Sequence, residues 1–275
     1  KLHLSIKMEK ADLLRQEKDG IVSYQFESFD PRLVSHSLYT RIGGVSVGPY
    51  KSLNLGGTCG DELKHVKENH QILFNNFGRP FESRFDVWQV HGDTIHFTDQ
   101  PRPETQKHQP GDGIFTQNPE VTLVMRFADC VPILFHDPVL KIVGIVHAGW
   151  QGTLIEVAGV AVRALTTEYG SKPEDLVVGI GPSICGNCYQ IGEDLRQKYL
   201  ARWGDKANDF INSSEDGHHL DLWAANEWIL RSAGVKKIEQ SQICTAENLQ
   251  EWYSYRKEKG LTGRFAVAIA LNTGV

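Results

Sequence analysis

Val121-Thr122-Leu123-Val124-Met125-Arg126-Phe127-Ala128-Asp129-Cys130 and, a short way on, Ile142-Val143-Gly144-Ile145-Val146-His147-Ala148-Gly149-Trp150 are the two stretches on which the fold turns. Each is an apolar, β-branched run, too short for a helix of ordinary length and closed by a chemically active side chain. Both read as buried strands, ending at Cys130 and at His147. A third apolar run, Val87 to Val90, leads into His91. Three strand ends can bring a thiol and two imidazoles together although they lie far apart in sequence. Three protein ligands with the fourth tetrahedral position open is the arrangement of a catalytic zinc, whereas structural zinc sites close all four positions. The same residues permit a metal-free alternative, Cys130 as nucleophile with a histidine base.

Outward from these strands, residues 21–29 and 35–41 read as further strands, followed by a Gly-rich loop from Gly43 to Gly60 carrying Ser52-Leu53-Asn54. Asp61 is expected to cap a helix with Leu63, Val66, His70, Leu73, Phe74 and Phe77 on its core face, closed by Gly78. His70, on an apolar stripe, reads as a satisfied core or boundary histidine. After Trp150 a second helix carries Leu154, Val157, Ala158, Ala161, Val162 and Leu165 up to Gly170, with Thr153 and Glu156 as a capping-box signature. Its start, near Thr153, is a candidate phosphate position. Leu176–Ile180 and Phe265–Leu271 read as strands, Glu193–Trp203 and Leu222–Ala233 as helices. Because strands and helices alternate irregularly, the expectation is an α/β, α+β-like fold with mixed sheets and flanking helices.

Length and composition narrow the function classes. The 275 residues, 40% hydrophobic, suit one domain; residues 1–20 are expected to be an N-terminal extension or truncation remnant, and 21–275 the single catalytic domain. A net charge of −5 without basic blocks argues against nucleic acid as a partner. No apolar run approaches the roughly 20 residues that span a bilayer, and the start lacks a signal-peptide core, so no membrane partner is expected. Five scattered cysteines suit a reducing, cytoplasmic setting. His-Glu-x-x-His and the deaminase pair His-x-Glu with Pro-Cys-x-x-Cys are absent. Cys185-Gly186-Asn187-Cys188 has ligand spacing, but no second Cys pair or nearby paired His completes a zinc set, so it reads as structural or incidental. A polyphenol oxidase (laccase) would need more copper ligands than eleven histidines without one His-x-His spacing suggest.

Thr40-Arg41-Ile42-Gly43-Gly44, Ser52-Leu53-Asn54-Leu55, Gln89-Val90-His91-Gly92, Asp112-Gly113, Ala128-Asp129-Cys130-Val131-Pro132, His147-Ala148-Gly149-Trp150, Gly179-Ile180-Gly181-Pro182 and Cys244-Thr245 with Tyr255-Arg256 together resemble, in order, the YfiH-like family, first called laccase-domain or polyphenol oxidase. The resemblance covers roughly residues 20 to 271. It implies a zinc-dependent purine nucleoside phosphorylase that cleaves adenosine, inosine, guanosine and methylthioadenosine with phosphate to free base and ribose 1-phosphate, with adenosine deaminase side activity. It also implies a fold distantly related to the cytotoxic necrotizing factor deamidases. Its metal ligands and catalytic residues fall on His91, Cys130 and His147.

Arg41, Asn54, Arg256 and Arg264 are the expected substrate and phosphate contacts, in a monomer or small homo-oligomer. The chain departs from the family pattern where Gln151, His70 and Lys257 replace arginines, which removes bidentate anion geometry and places more weight on the remaining arginines. Asp129, in an extended segment, should point opposite to Cys130 and serve as a hydrogen-bonding support. Beside the phosphorylase, a Cys-His hydrolase or deamidase and a non-catalytic metal-binding protein remain open.

Overall fold

The computed structural model describes residues 13–273. Its first sheet runs β1 (Leu14–Lys18), β2 (Ile21–Gln25), β3 (Val34–Tyr39), β15 (Phe265–Leu271), β7 (Thr122–Phe127) and β4 (Arg84–Phe85). The second runs β14 (Lys237–Gln240), β10 (Val177–Ile180), β8 (Val131–Asp137), β9 (Ile142–Ala148), β6 (Gly113–Thr116) and β5 (Ile95–Phe97). Pairing is mixed: β4–β7, β5–β6 and β10–β14 are parallel and the other pairs in these sheets are antiparallel. A small antiparallel sheet of β11 (Gln190–Ile191), β13 (Gly217–Leu220) and β12 (Ile211–Ser214) completes the strands. The mixed α/β architecture expected from the sequence is therefore present.

Period-two alternation explains the layering. Along β15, Phe265, Val267 and Ile269 enter the core between the two large sheets, while Ala266 and Ala268 face the other way, against α1 (Leu63–Phe77). Along β9, Val143 and Ile145 face the first sheet, and Ile142, Val146 and Ala148 face α3 (Val157–Tyr169) and α5 (Leu222–Ser232). The result is a helix–sheet–sheet–helix stack in which β7, β8, β9 and β15 are covered on both sides. That burial is why they read as continuous apolar runs rather than alternating ones. α4 (Glu193–Trp203) closes the second helical layer beside α2 (Trp150–Leu154).

Five expectations need correction. The sheet starts before residue 21: β1 pairs with β2 from Leu14↔Gln25 to Lys18↔Ile21, with all five of its side chains exposed. Such a polar edge strand carries no apolar signal, so it reads as an extension. Asp61 does not cap α1; Glu62 occupies that position without a side-chain bond, and Asp61 instead accepts from Ser46 and Asn54 in the preceding loop. Leu63 is exposed, and the buried polar member of that face is Asn69, which bonds the 44–54 loop through Val45 N, Ser46 Oγ and Asn54 O. The helix after Trp150 is two helices: Glu156 adopts a left-handed conformation, φ 61°, between α2 and α3. No capping box forms, because Thr153 Oγ1 accepts from Asn226 and Glu156 accepts from Arg202 and Trp203.

Candidate active site

Cys130 precedes β8, His147 is the penultimate residue of β9, and β8 pairs antiparallel with β9 through Pro132↔His147. The adjacent register places thiol and imidazole side by side at one end of the second sheet. His91 reaches them differently. No strand ends there; Trp88 makes an isolated bridge to Pro110, and His91 sits in a loop with φ 62°. A left-handed conformation at a non-glycine residue costs of order 1 kcal/mol and persists only where its surroundings impose it. Asp112 imposes it. Its buried carboxylate accepts from the backbone N–H groups of Val90 at 3.2 Å, His91 at 3.0 Å and Gly92 at 2.7 Å, and from His147 Nδ1 at 2.8 Å.

One carboxylate thus fixes two imidazoles. With Nδ1 of His147 committed to Asp112, Nε2 is the nitrogen free for a ligand, the usual carboxylate–histidine–metal arrangement. Nitrogen and sulfur donors of His91, Cys130 and His147 lie within 4.8 Å of one another, with Cys130 Sγ 3.8 Å from His91 Nε2. Burial by itself would raise the Cys130 thiol, but the neighbouring His147 and His91 hold it at about 6. Burial would lower His147, yet Cys130 and Asp112 lift it to about 9. Without a metal the pair is therefore a thiolate facing an imidazolium; a borderline-soft divalent cation would take the thiolate and displace the proton from His147 Nε2. Gly149 leaves the room: a Cβ there would stand 2.9 Å from both Cys130 Sγ and His91 Cδ2. Asp112→Asn should retain the fold but weaken zinc binding 10- to 100-fold, checked by competition with a chromophoric chelator.

These three side chains sit in the wall of a cavity of about 810 Å³. Five arginines (Arg84, Arg102, Arg126, Arg256 and Arg264) line it, with Trp88, Tyr189 and Tyr255 among its aromatic residues. Arg84, Arg102 and Arg126 converge with His108 on the buried Asp86 at 3.3, 2.7, 2.8 and 3.0 Å. Arg256 lies 4.8 Å above the Tyr189 ring and donates to Gln190 O; Arg264 lies 5.4 Å from the Tyr255 ring. The lining thus combines guanidinium groups, three of them paired with Asp86, with aromatic rings, of which Trp88 and Tyr255 are exposed.

Not every expected contact is brought here. Arg41 is absent from the cavity wall: it ion-pairs with Glu258 at 3.1 Å, donates to the carbonyls of Lys51 and Leu249, and lies 4.3 Å over the Tyr253 ring. Its geometry is that of a structural clamp. Asn54 is fully buried and also outside the wall, but its Oδ1 accepts from the backbone N–H of Gly56 and Arg264, both of which line the cavity. Thr153 is buried inside α2 rather than at a free helix start, and five residues of helix offer little dipole to an anion. His70 lines the cavity, with Nε2 on Leu55 O at 3.2 Å and Nδ1 unpartnered, while Gln151 is exposed in α2.

Asp129 has φ 83° and is no part of an extended segment; its carboxylate accepts from Thr245 Oγ1 at 2.7 Å and Arg256 N at 2.6 Å, a support for the turn before Cys130. Asp112, Arg84, Arg102 and Arg126 have roles the sequence reading did not assign. Asp112-Gly113 was visible as a motif, but its contacts to His91 and His147 span 21 and 35 residues.

The sequence pattern described as multi-copper polyphenol oxidoreductase laccase matches residues 35–272. The chain is 35% identical over 238 residues to a purine nucleoside phosphorylase of Deinococcus radiodurans, covering 86% of this chain and 89% of that one. It is 33% identical over 240 residues to the purine nucleoside phosphorylase YlmD of Bacillus subtilis, covering 84% and 86%. The crystal structure of YlmD from Geobacillus stearothermophilus is similar with a TM-score of 0.88 at 32% identity, over 95% of this chain and 99% of that one.

Proposed function

This chain belongs to the YfiH-like family, described as multi-copper polyphenol oxidoreductase laccase, and from that premise we propose that it is a zinc-dependent purine nucleoside phosphorylase. Its substrates are purine nucleosides, namely adenosine, inosine, guanosine and methylthioadenosine, with adenosine deamination as a side activity. What carries the reading is one juxtaposition: a Cys-His-His donor set and a group of arginines open into the same cavity.

Phosphorolysis joins a phosphate oxygen to C1′ of the sugar, breaks the bond from C1′ to the purine nitrogen, and leaves free base and ribose 1-phosphate. As that bond opens, the sugar becomes cationic and the base gains negative charge, so an anion must be held on one side and charge accepted on the other. Arg256 and Arg264, with Arg84 and Arg126 of the Asp86 cluster, are suited to hold phosphate. Trp88, Tyr189 and Tyr255 are suited to stack the purine. Zinc held by His91, Cys130 and His147 would supply Lewis acidity through its open fourth position. Asp112 orients two of the ligands, and Asp129 fixes the turn carrying the third. Five free thiols fit a reducing, cytoplasmic setting; among the described residues no helix is long and apolar enough to cross a membrane.

The assay is formation of the sugar 1-phosphate from each nucleoside, ribose 1-phosphate or, from methylthioadenosine, 5-methylthioribose 1-phosphate, with and without phosphate; cleavage that proceeds equally well without phosphate would refute the reading. Arg256→Ala should raise the phosphate KM about tenfold or more while changing adenosine deamination little, since deamination uses no phosphate. Equal loss of both activities would assign Arg256 a structural role. One observation favours a second reading. Asp112, His147 and Cys130 form a line that could also serve a metal-free Cys-His hydrolase, consistent with the implied relation to the necrotizing-factor deamidases. That reading gives no purpose to the strained backbone at His91.

A further inference from the structure

A second group of metal-ligating side chains lies outside the site just described. Cys185, Cys188, Cys244 and Glu247 present three sulfurs and a carboxylate oxygen within 4.8 Å of one another. The Cys-x-x-Cys pair is the one whose completing ligands could not be found in the sequence. Folding supplies them: Ser183 and Cys244 bridge in parallel, and Ser183 N–H donates to Ile243 O while Thr245 N–H donates to Ser183 O. This backbone pairing carries Cys244 to Cys185 across 59 residues.

We propose that Cys185, Cys188, Cys244 and Glu247 form a second, structural zinc site. Four donors of this kind close a tetrahedron, and Zn–S distances of about 2.3 Å place sulfurs roughly 3.8 Å apart, a separation the cluster reaches with small side-chain rotations. With Zn–O of about 2.0 Å the sulfur–oxygen separation is roughly 3.5 Å, and two contacts are already near it: Glu247 Oε1 lies 3.8 Å from Cys185 Sγ and 3.5 Å from Cys188 Sγ. The backbone N–H of Cys185 donates to Cys244 Sγ at 3.4 Å, the outer-shell bond that orients a ligating sulfur. Cys185 N–H thus serves the ligand opposite its own. Cys185 and Cys244 are buried, Cys188 is partly exposed and Glu247 is exposed, so an ion enters from the Glu247 side.

A redox Cys-x-x-Cys pair fits less well. Such pairs gain their reactive thiolate at a helix N-terminus or beside a cation, whereas Cys185 lies in a tight turn whose carbonyl accepts from Cys188 N–H and Tyr189 N–H. A third sulfur and a carboxylate add nothing to a two-thiol exchange. They do complete a zinc set.

The position gives the ion a task. It joins the 183–189 loop to the 243–247 loop, and both hold Asp129: Ile184 N–H donates to Asp129 O at 3.0 Å, and Thr245 Oγ1 donates to Asp129 Oδ1 at 2.7 Å. Ile184 and Tyr189 also line the cavity. Bound zinc would fasten that wall next to Cys130 without touching substrate.

The test compares zinc content and thiol accessibility in whole, folded protein. Wild type should hold about two zinc per chain, and His91→Ala and Cys188→Ser about one each, with Glu247→Gln releasing the second ion to chelator at least tenfold faster. Cobalt loaded into His91→Ala should show sulfur-to-metal absorption about three times as intense per ion as cobalt in Cys188→Ser, in proportion to the sulfurs bound. Peptide mapping of wild type should show Cys185, Cys188 and Cys244 protected from alkylation by zinc, and released zinc should lower the melting temperature of His91→Ala by several degrees. A folded His91→Ala protein without zinc, or zinc-loaded wild type whose three thiols alkylate freely, would overturn the second site. So would a Cys185–Cys188 disulfide in its place. Failure of the phosphorylase reading would leave this outcome untouched, because no readout is enzymatic.

Discussion

Cys130→Ala should abolish nucleoside cleavage, lowering kcat/KM by on the order of 10³-fold or more, and should remove the zinc held with His91 and His147 while leaving the fold intact. Cys130 lies in a turn ahead of β8 and is only partly buried, so truncation leaves no large void in the core. What disappears is the one anionic donor of the set, and with it the charge that lifts His147 to about 9. Cys130→His discriminates further. A ligand position tolerates another nitrogen donor and should keep part of the zinc and part of the activity, whereas a covalent thiolate mechanism cannot survive the change. Intact mass measured during turnover should show no ribosyl or acyl adduct on Cys130.

Asp86→Ala should cost about 3 kcal/mol of stability and lower the melting temperature by roughly 6–10 °C, because it strands three partly or fully buried guanidinium groups around one carboxylate. Burial alone would raise the Asp86 carboxyl, but His108, Arg126 and Arg84 hold it far below the usual carboxylate range. A carboxyl whose folded value is depressed contributes stability that is present in full above its unfolded value near 3.9, and loses it as the pH falls below that. Wild type should therefore weaken steeply below about pH 4, and the Asp86→Ala protein should show a shallower acid dependence over the same window. Denaturant unfolding at several pH values measures both. Parallel acid profiles would show that Asp86 is not the group responsible.

How much of this was legible beforehand differs by residue. The buried strands β7, β9 and β15 announce themselves as apolar runs because two covered faces leave no polar positions. Cys130 and His147, at the ends of such runs, were placed by the same logic. His91 was expected at a strand end and instead depends on Asp112, a partner no local periodicity can identify. Arg41 looked available to phosphate, since nothing in its neighbourhood names Glu258 or the Leu249 carbonyl as its partners. The single helix expected after Trp150 breaks at Glu156, which takes a left-handed conformation while Arg202 and Trp203 of another element donate to its carboxylate, contacts that no local capping signature announces. Cys185 and Cys188 were recognised as a pair, but Cys244 and Glu247 join them only through the pairing of two distant loops.

The central claim, that His91, Cys130 and His147 serve purine phosphorolysis by holding zinc, is tested most directly by one titration. Metal-stripped wild-type protein is supplied with inosine and phosphate, and ribose 1-phosphate is followed as zinc is added back. The account predicts no product before addition and recovery of the untreated rate as zinc refills the chain; undiminished cleavage in zinc-free protein would contradict it.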